Sequence, residues 1–244
     1  MATALTAARP ATETAMPADP RLIVALDLPT VDEARALVER AGDAVSFYKI
    51  GLQLLASRGM ELAAELKRQG RQVFLDWKLH DIGATVERAA AAIAGSGCDF
   101  LTVHGEPQVM AAAVKGRGGA AIKLLAVTVL TSLDDDDLRE MGYALGARAL
   151  VEHRVRQAID CGCDGVISSP QEAALARAIG GPDFLVVTPG VRPSGVSLDD
   201  QARAATPASA LQAGASHLVV GRPVTACVDP REAALAIVRE MAGA

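Results

Sequence analysis

The sequence contains no stretch of 18 or more apolar residues, so it offers no segment for a membrane-spanning helix. Its first twenty residues, MATALTAARPATETAMPADP, are rich in Ala, Thr and Pro and lack the apolar core of a signal peptide. They read as a disordered tail. Basic charge is not in excess: 24 Lys and Arg stand against 29 Asp and Glu, for a net charge of -5 and a pI near 5.4. No nucleic acid and no anionic membrane surface is therefore an expected partner. Cysteine is scarce, with Cys98, Cys161, Cys163 and Cys227 alone. Cys161 and Cys163 are too close together for a zinc knuckle and have no second pair at ligand spacing, so no metal site is expected. All four read as small buried or semi-buried side chains of a protein in the reducing cytoplasm. The dinucleotide fingerprint G-x-G-x-x-G is also missing, which weakens a doubly wound sheet as the fold.

What is present is ample apolar material: half of the 244 residues are hydrophobic, enough for one sizeable core. Eight short apolar runs read as strands, at 21–27, 45–50, 72–77, 99–103, 120–127, 165–168, 184–187 and 217–220. Helical sequence follows each, including 31–41, 53–69, 84–95, 106–114, 144–160, 209–213 and 230–242. Thr30 with Glu33, and Asp229 before Pro230, read as helix starts, and the acidic run Asp134–Asp137 as a cap for a short helix. Pro170 is placed near the first turn of the sixth helix. Eight alternating strand and helix units predict a (β/α)8 TIM barrel over residues 21–244, preceded by the tail 1–20.

The chemistry concentrates in residues 72–86, QVFLDWKLHDIGATV. A buried strand runs into Asp76, Lys78, His80 and Asp81, four ionisable residues within six positions, just before a helix. Charges are costly to bury unless paired, so a strand carrying them to its open end suits a ligand site. Strand alternation puts Asp76 and Lys78 on one face and turns Trp77 to the outer face; Tyr48 alternates with Lys49 likewise. Asp27, Lys49, Asp76, Lys78, His104 and Thr131 all fall at strand ends or just beyond, where a barrel builds its site. His153, His217, Tyr143 and the acidic run read as structural or solvated.

A second concentration lies at the far end. Strand eight leads into Gly221 and Arg222, and the long polar segment 188–207 contains Arg192 and Gln201. An open glycine N–H and guanidinium forks at loops seven and eight of a barrel suit a phosphate.

These segments resemble the orotidine 5'-phosphate decarboxylase family. The central match is D-W-K-L-H-D-I-G-A-T-V against a family pattern D-x-K-x-H-D-I-x-x-T, supported by ALD at 25–27, KIG at 49–51, VLTS at 129–132, TPGVRP at 188–193, DDQ at 199–201 and VVGRP at 219–223. Gly83-Ala84 departs from the Pro-Asn of many members. The resemblance implies a barrel of the ribulose-phosphate-binding type that converts orotidine 5'-phosphate to UMP and CO2 in the cytoplasm, without metal or organic cofactor. It implies Lys78 as proton donor to C6, Asp76 beside the substrate carboxylate, and Lys49 in the same charged network. Asp27 and Lys49 would hold the ribose, Thr131 or the adjacent Ser132 the pyrimidine, and Pro189, Arg192, Gln201, Gly221 and Arg222 the phosphate and closing loop. Asp81 and Thr85 would reach the neighbouring subunit's site across a homodimer. The rival readings are a metal-dependent lyase or aldolase on a sugar phosphate, which a bare D-x-K-x-x-D also admits, and a barrel that binds UMP without turnover.

Overall fold

The computed structural model describes residues 17–193 and 205–243. Eight parallel strands close on themselves in chain order, with the last paired to the first through Leu22↔Leu218 and Val24↔Val220. This is the expected barrel; the closing pair rules out the open doubly wound sheet. The strands are β1 (Leu22–Ala25), β2 (Phe47–Gly51), β3 (Gln72–Leu79), β4 (Phe100–His104), β5 (Lys123–Val127), β6 (Gly165–Ile167), β7 (Leu185–Thr188) and β8 (His217–Val220). The helices are α1 (Val31–Ala41), α2 (Leu52–Leu55), α3 (Gly59–Arg68), α4 (Gly83–Ala94), α5 (Pro107–Arg117), α6 (Asp135–Glu140), α7 (Ala147–Cys161), α8 (Ala173–Gly180), α9 (Pro207–Gln212), α10 (Arg222–Thr225) and α11 (Pro230–Ala242).

Strand alternation sorts the core into two layers. Ile23, Ala25, Phe47, Phe74, Phe100, Leu125, Val187 and Val219 fill the barrel interior, with the Phe47 and Phe100 rings edge to face at 5.0 Å. Their strand neighbours, among them Val24, Tyr48, Leu75 and Trp77, pack outward against the helices, as expected for Tyr48 and Trp77. At the N-terminal rim, the residue just before a strand caps an N–H of the preceding one. Asp99 accepts from Val73 N at 2.7 Å, Asp164 from Leu124 N at 2.9 Å and Ser216 from Val186 N at 2.9 Å.

Helix starts follow the sequence signals. Thr30 accepts from Glu33 N, Asp229 accepts from Glu232 N, and Asp134 forms a reciprocal capping box with Asp137. Several boundaries differ. The expected helix 53–69 is two pieces, because Arg58 adopts a left-handed φ of 65° between α2 and α3. Pro170 opens the turn that leads into α8, three residues before the helix begins. Tyr143 is half-buried under the Arg154 guanidinium, which donates to its hydroxyl at 3.1 Å, and is not a solvated surface residue. Cys227 is exposed, unlike the other three cysteines, which are free thiols in buried or half-buried positions.

Candidate active site

Five strands, β2, β3, β5, β6 and β8, contribute to a site at the C-terminal mouth of the barrel. A cavity of about 280 Å³ there is lined by Lys49 from β2, Phe74, Asp76 and Lys78 from β3, Val127 from β5, and Val129, Leu130, Thr131 and Ser132 just beyond it. Ile167, Pro189 and Val219 complete its wall. The floor is apolar and the charges stand on one side, so a flat ring with one ionic edge fits the lining.

The charges form an alternating chain. Asp27 Oδ1 lies 3.1 Å from Lys49 Nζ, Lys49 Nζ 3.3 Å from Asp76 Oδ2, and Asp76 Oδ1 2.8 Å from Lys78 Nζ. Lys49 and Asp76 are nearly buried, at 8% and 14% side-chain exposure, so neither would tolerate losing its partner cheaply. Burial alone would raise the Asp76 carboxyl, but the Lys49 and Lys78 ammoniums, with hydrogen bonds from Lys78 and Thr102, hold it below the ordinary carboxylate value. Gly51 leaves room for this chain: a Cβ there would stand 2.8 Å from Asp27 Oδ1 and 3.1 Å from Lys49 Nζ, so both side-chain ends would have to shift.

The strand that delivers Asp76 and Lys78 is irregular. β3 extends to Leu79, two residues beyond its expected end, and its pairing with β4 slips between Leu75↔Leu101 and Leu79↔Val103. Lys78 sits in this bulge with φ 47°, one of two non-glycine residues at positive φ among the described residues. Such backbone strain gathers at functional sites. Thr102 on β4, a residue the sequence reading passed over, is completely buried here and bonded to both Lys78 N and Asp76 Oδ1. Its signal was available: alternation with Phe100 puts a lone hydroxyl on the interior face of a strand.

The other expected residues lie around this centre. Asp81 is exposed on the turn before α4, where its Oδ1 accepts from Ile82 N at 2.6 Å, and Thr85 is half-buried in the first turn of α4. Neither lines the cavity that holds Lys78. Thr131 and Ser132 both line it, so placement alone does not separate them. Arg192 is buried beside Pro193, and its backbone N donates to Ala205 O at 2.9 Å. That bond and the Val191↔Ala205 bridge clasp the two ends of the segment whose residues 194–204, Gln201 among them, lie outside the described residues. Gly221 follows β8 as the residue before α10, and Arg222 is exposed at the start of α10. His104 stacks on His80 at 4.6 Å between ring centres, in a neighbouring cavity of about 180 Å³. Among the described residues, no helix is long and apolar enough to cross a membrane.

Known proteins give this geometry its context. The orotidine 5'-phosphate decarboxylase / HUMPS family model matches residues 20–237. A curated orotidine 5'-phosphate decarboxylase of Caulobacter sp. (strain K31) is 72% identical over 228 residues, covering 93% of this chain and 100% of the relative. One from Rhodopseudomonas palustris (strain BisB5) is 57% identical over 229 residues, covering 93% and 97%. The crystal structure of orotidine 5'-phosphate decarboxylase from Lactobacillus acidophilus superposes with a TM-score of 0.80 at 39% identity, covering 91% of this chain and 99% of that one. The chain belongs to the orotidine 5'-phosphate decarboxylase / HUMPS family.

Proposed function

We propose that this chain decarboxylates orotidine 5'-phosphate to UMP and CO2 through the Asp27–Lys49–Asp76–Lys78 array, with Lys78 as the group that protonates C6. The observation that carries the mechanism is the Lys78 ammonium, held 2.8 Å from Asp76 Oδ1 at the edge of an apolar pocket. Breaking the C6–carboxylate bond releases CO2 and leaves the electron pair on C6, where no adjacent carbonyl takes it up. A fixed ammonium beside that carbon stabilises the developing charge and then delivers its proton, forming the C6–H bond of UMP. Lys78 regains a proton from solvent. Asp76 aims the ammonium and faces the departing carboxylate, and Lys49 keeps Asp76 ionised.

Asp27 and Lys49 are assigned to the ribose hydroxyls, Thr131 or Ser132 to the pyrimidine, and Pro189, Arg192, Gln201, Gly221 and Arg222 to the phosphate and the closing segment. Gripping the remote phosphate converts binding energy into alignment at C6. Asp81 is exposed and outside the cavity, which supports its action, with Thr85, in a second subunit of a homodimer. The protein is proposed to work in the cytoplasm as a single barrel over 21–244, without metal or organic cofactor. The names of the close relatives favour the decarboxylase over a sugar-phosphate lyase.

Lys78→Ala tests the assignment. It removes the proton source and the charge stabilisation together, so kcat/KM falls by more than about 10⁴-fold while UMP still binds. Turnover near the wild-type rate would overturn Lys78 as the donor.

A further inference from the structure

The bulge in β3 raises a question of backbone satisfaction. Between the pairs Leu75↔Leu101 and Leu79↔Val103, β3 has three residues where β4 has only Thr102. A regular ladder cannot serve all the N–H groups of such a segment, and buried ones need another partner. The Lys78 N–H finds it in a side chain: it donates to Thr102 Oγ1 at 2.9 Å. The same oxygen lies 3.0 Å from Asp76 Oδ1. A hydroxyl has a single proton, and an ionised carboxylate only accepts, so the bond to Asp76 must be donated by Thr102. The hydroxyl thus joins the two, accepting from the backbone of one charged residue and donating its single proton to the side chain of the other.

Thr102 is completely buried, as is its outward neighbour Leu101, so water does not compete for the clamp's two bonds. It acts where position matters most. Asp76 Oδ1 receives both the Thr102 hydroxyl and the Lys78 ammonium, and Lys78 holds a left-handed φ of 47° that its own chain does not favour. We infer that Thr102 is a positioning residue for the decarboxylation: by joining Lys78 N to Asp76 Oδ1 from the neighbouring strand, it fixes the bulge in the form that aims the Lys78 ammonium into the cavity. The inference rests on the reading of Lys78 as proton donor. Thr102 itself does not line the cavity and needs no contact with substrate.

The experiment uses the full chain with Thr102→Val, which keeps the shape and removes both bonds, and Thr102→Ser, which keeps the hydroxyl. Misplacing a reacting group by about an ångström costs about 100-fold. Thr102→Val therefore lowers kcat by about 100-fold with little change in KM or in UMP affinity, the pattern of an interaction specific to the transition state. Its acid limb moves to higher pH, because Asp76 loses a bond that favours its ionised form. Thr102→Ser recovers most of the lost rate. A Thr102→Val enzyme with wild-type kcat and pH profile, or a Thr102→Ser enzyme as slow as the valine variant, would overturn the inference. A second readout needs neither substrate nor a folded valine variant. Hydrogen exchange in the wild-type protein finds the Lys78 amide strongly protected; exchange at the rate of an open loop would overturn the clamp. An inactive wild-type chain with a protected Lys78 amide would instead count against the decarboxylase reading and leave the clamp standing.

Discussion

Lys78 Nζ lies 2.8 Å from Asp76 Oδ1, two residues back along the same strand. Regular strand geometry puts such residues on one face but leaves their side chains parallel. Here the bulge turns the Lys78 backbone to φ 47°, and the ammonium comes back onto the carboxylate. Asp76 then offers its second oxygen to Lys49, 3.3 Å away, so one buried carboxylate orders two cations from adjacent strands. The cost of burying these charges is offset only while the whole chain of pairs is intact.

Arg222 stands at the start of α10, just after Gly221 and the end of β8, whose Val219 lines the cavity. Arg222→Ala removes charge-assisted hydrogen bonds worth about 1.5–3 kcal/mol, so UMP affinity falls by about 10- to 100-fold. Uridine, which has no phosphate, loses much less. Comparing the two dissociation constants by calorimetry checks this; equal losses would remove Arg222 from the phosphate site.

The barrel was legible in the sequence because each strand keeps its interior and exterior residues in register. Phe47 and Lys49, or Phe74 and Asp76, share one face while Tyr48 and Leu75 take the other. The order of Asp27, Lys49, Asp76 and Lys78 at strand ends was equally open to reading. Local backbone events were not. The left-handed Arg58 that splits α2 from α3 and the left-handed Lys78 in β3 both occur at non-glycine residues, where propensity gives no warning. Alternation marks Thr102 as an interior hydroxyl, but its bonds to Lys78 N and Asp76 depend on a slip in strand pairing that no single-strand pattern contains.

Asp81 and Thr85 do not line their own chain's cavity, which sets up a complementation test. In a two-fold dimer each site would combine Lys78 of one subunit with Asp81 of the other. Mixing Lys78→Ala with Asp81→Ala, each inactive alone, gives hybrids with one intact site. After complete exchange at equal concentrations about a quarter of all sites are intact. No recovery, with exchange verified by mass spectrometry, would mean that each chain carries a self-contained site.

A contribution to acid stability is expected at the start of β8. Burial pushes the His217 imidazole down to about 4, beneath the Phe47 and Phe100 rings. The unfolded chain, with an ordinary histidine near 6.5, therefore binds more protons between about pH 4 and 6.5. The stability is fully present above pH 6.5 and is lost as pH falls through about 4, by up to about 3 kcal/mol. His217→Gln flattens this slope in denaturant titrations. Burial also lowers His104, so some slope remains, whereas Asp76, held below its ordinary value, acts only at lower pH. An unchanged slope in the variant would show that His217 is not the group that titrates.

The central claim is that Lys78 and its aspartates decarboxylate a pyrimidine nucleotide without a metal. The most direct measurement strips the purified protein with a chelator and follows orotidine 5'-phosphate by ultraviolet absorbance. The expected result is rapid conversion to UMP that added divalent cations do not enhance. A folded protein that binds UMP but leaves orotidine 5'-phosphate unchanged, or converts it only when a metal is returned, would contradict it.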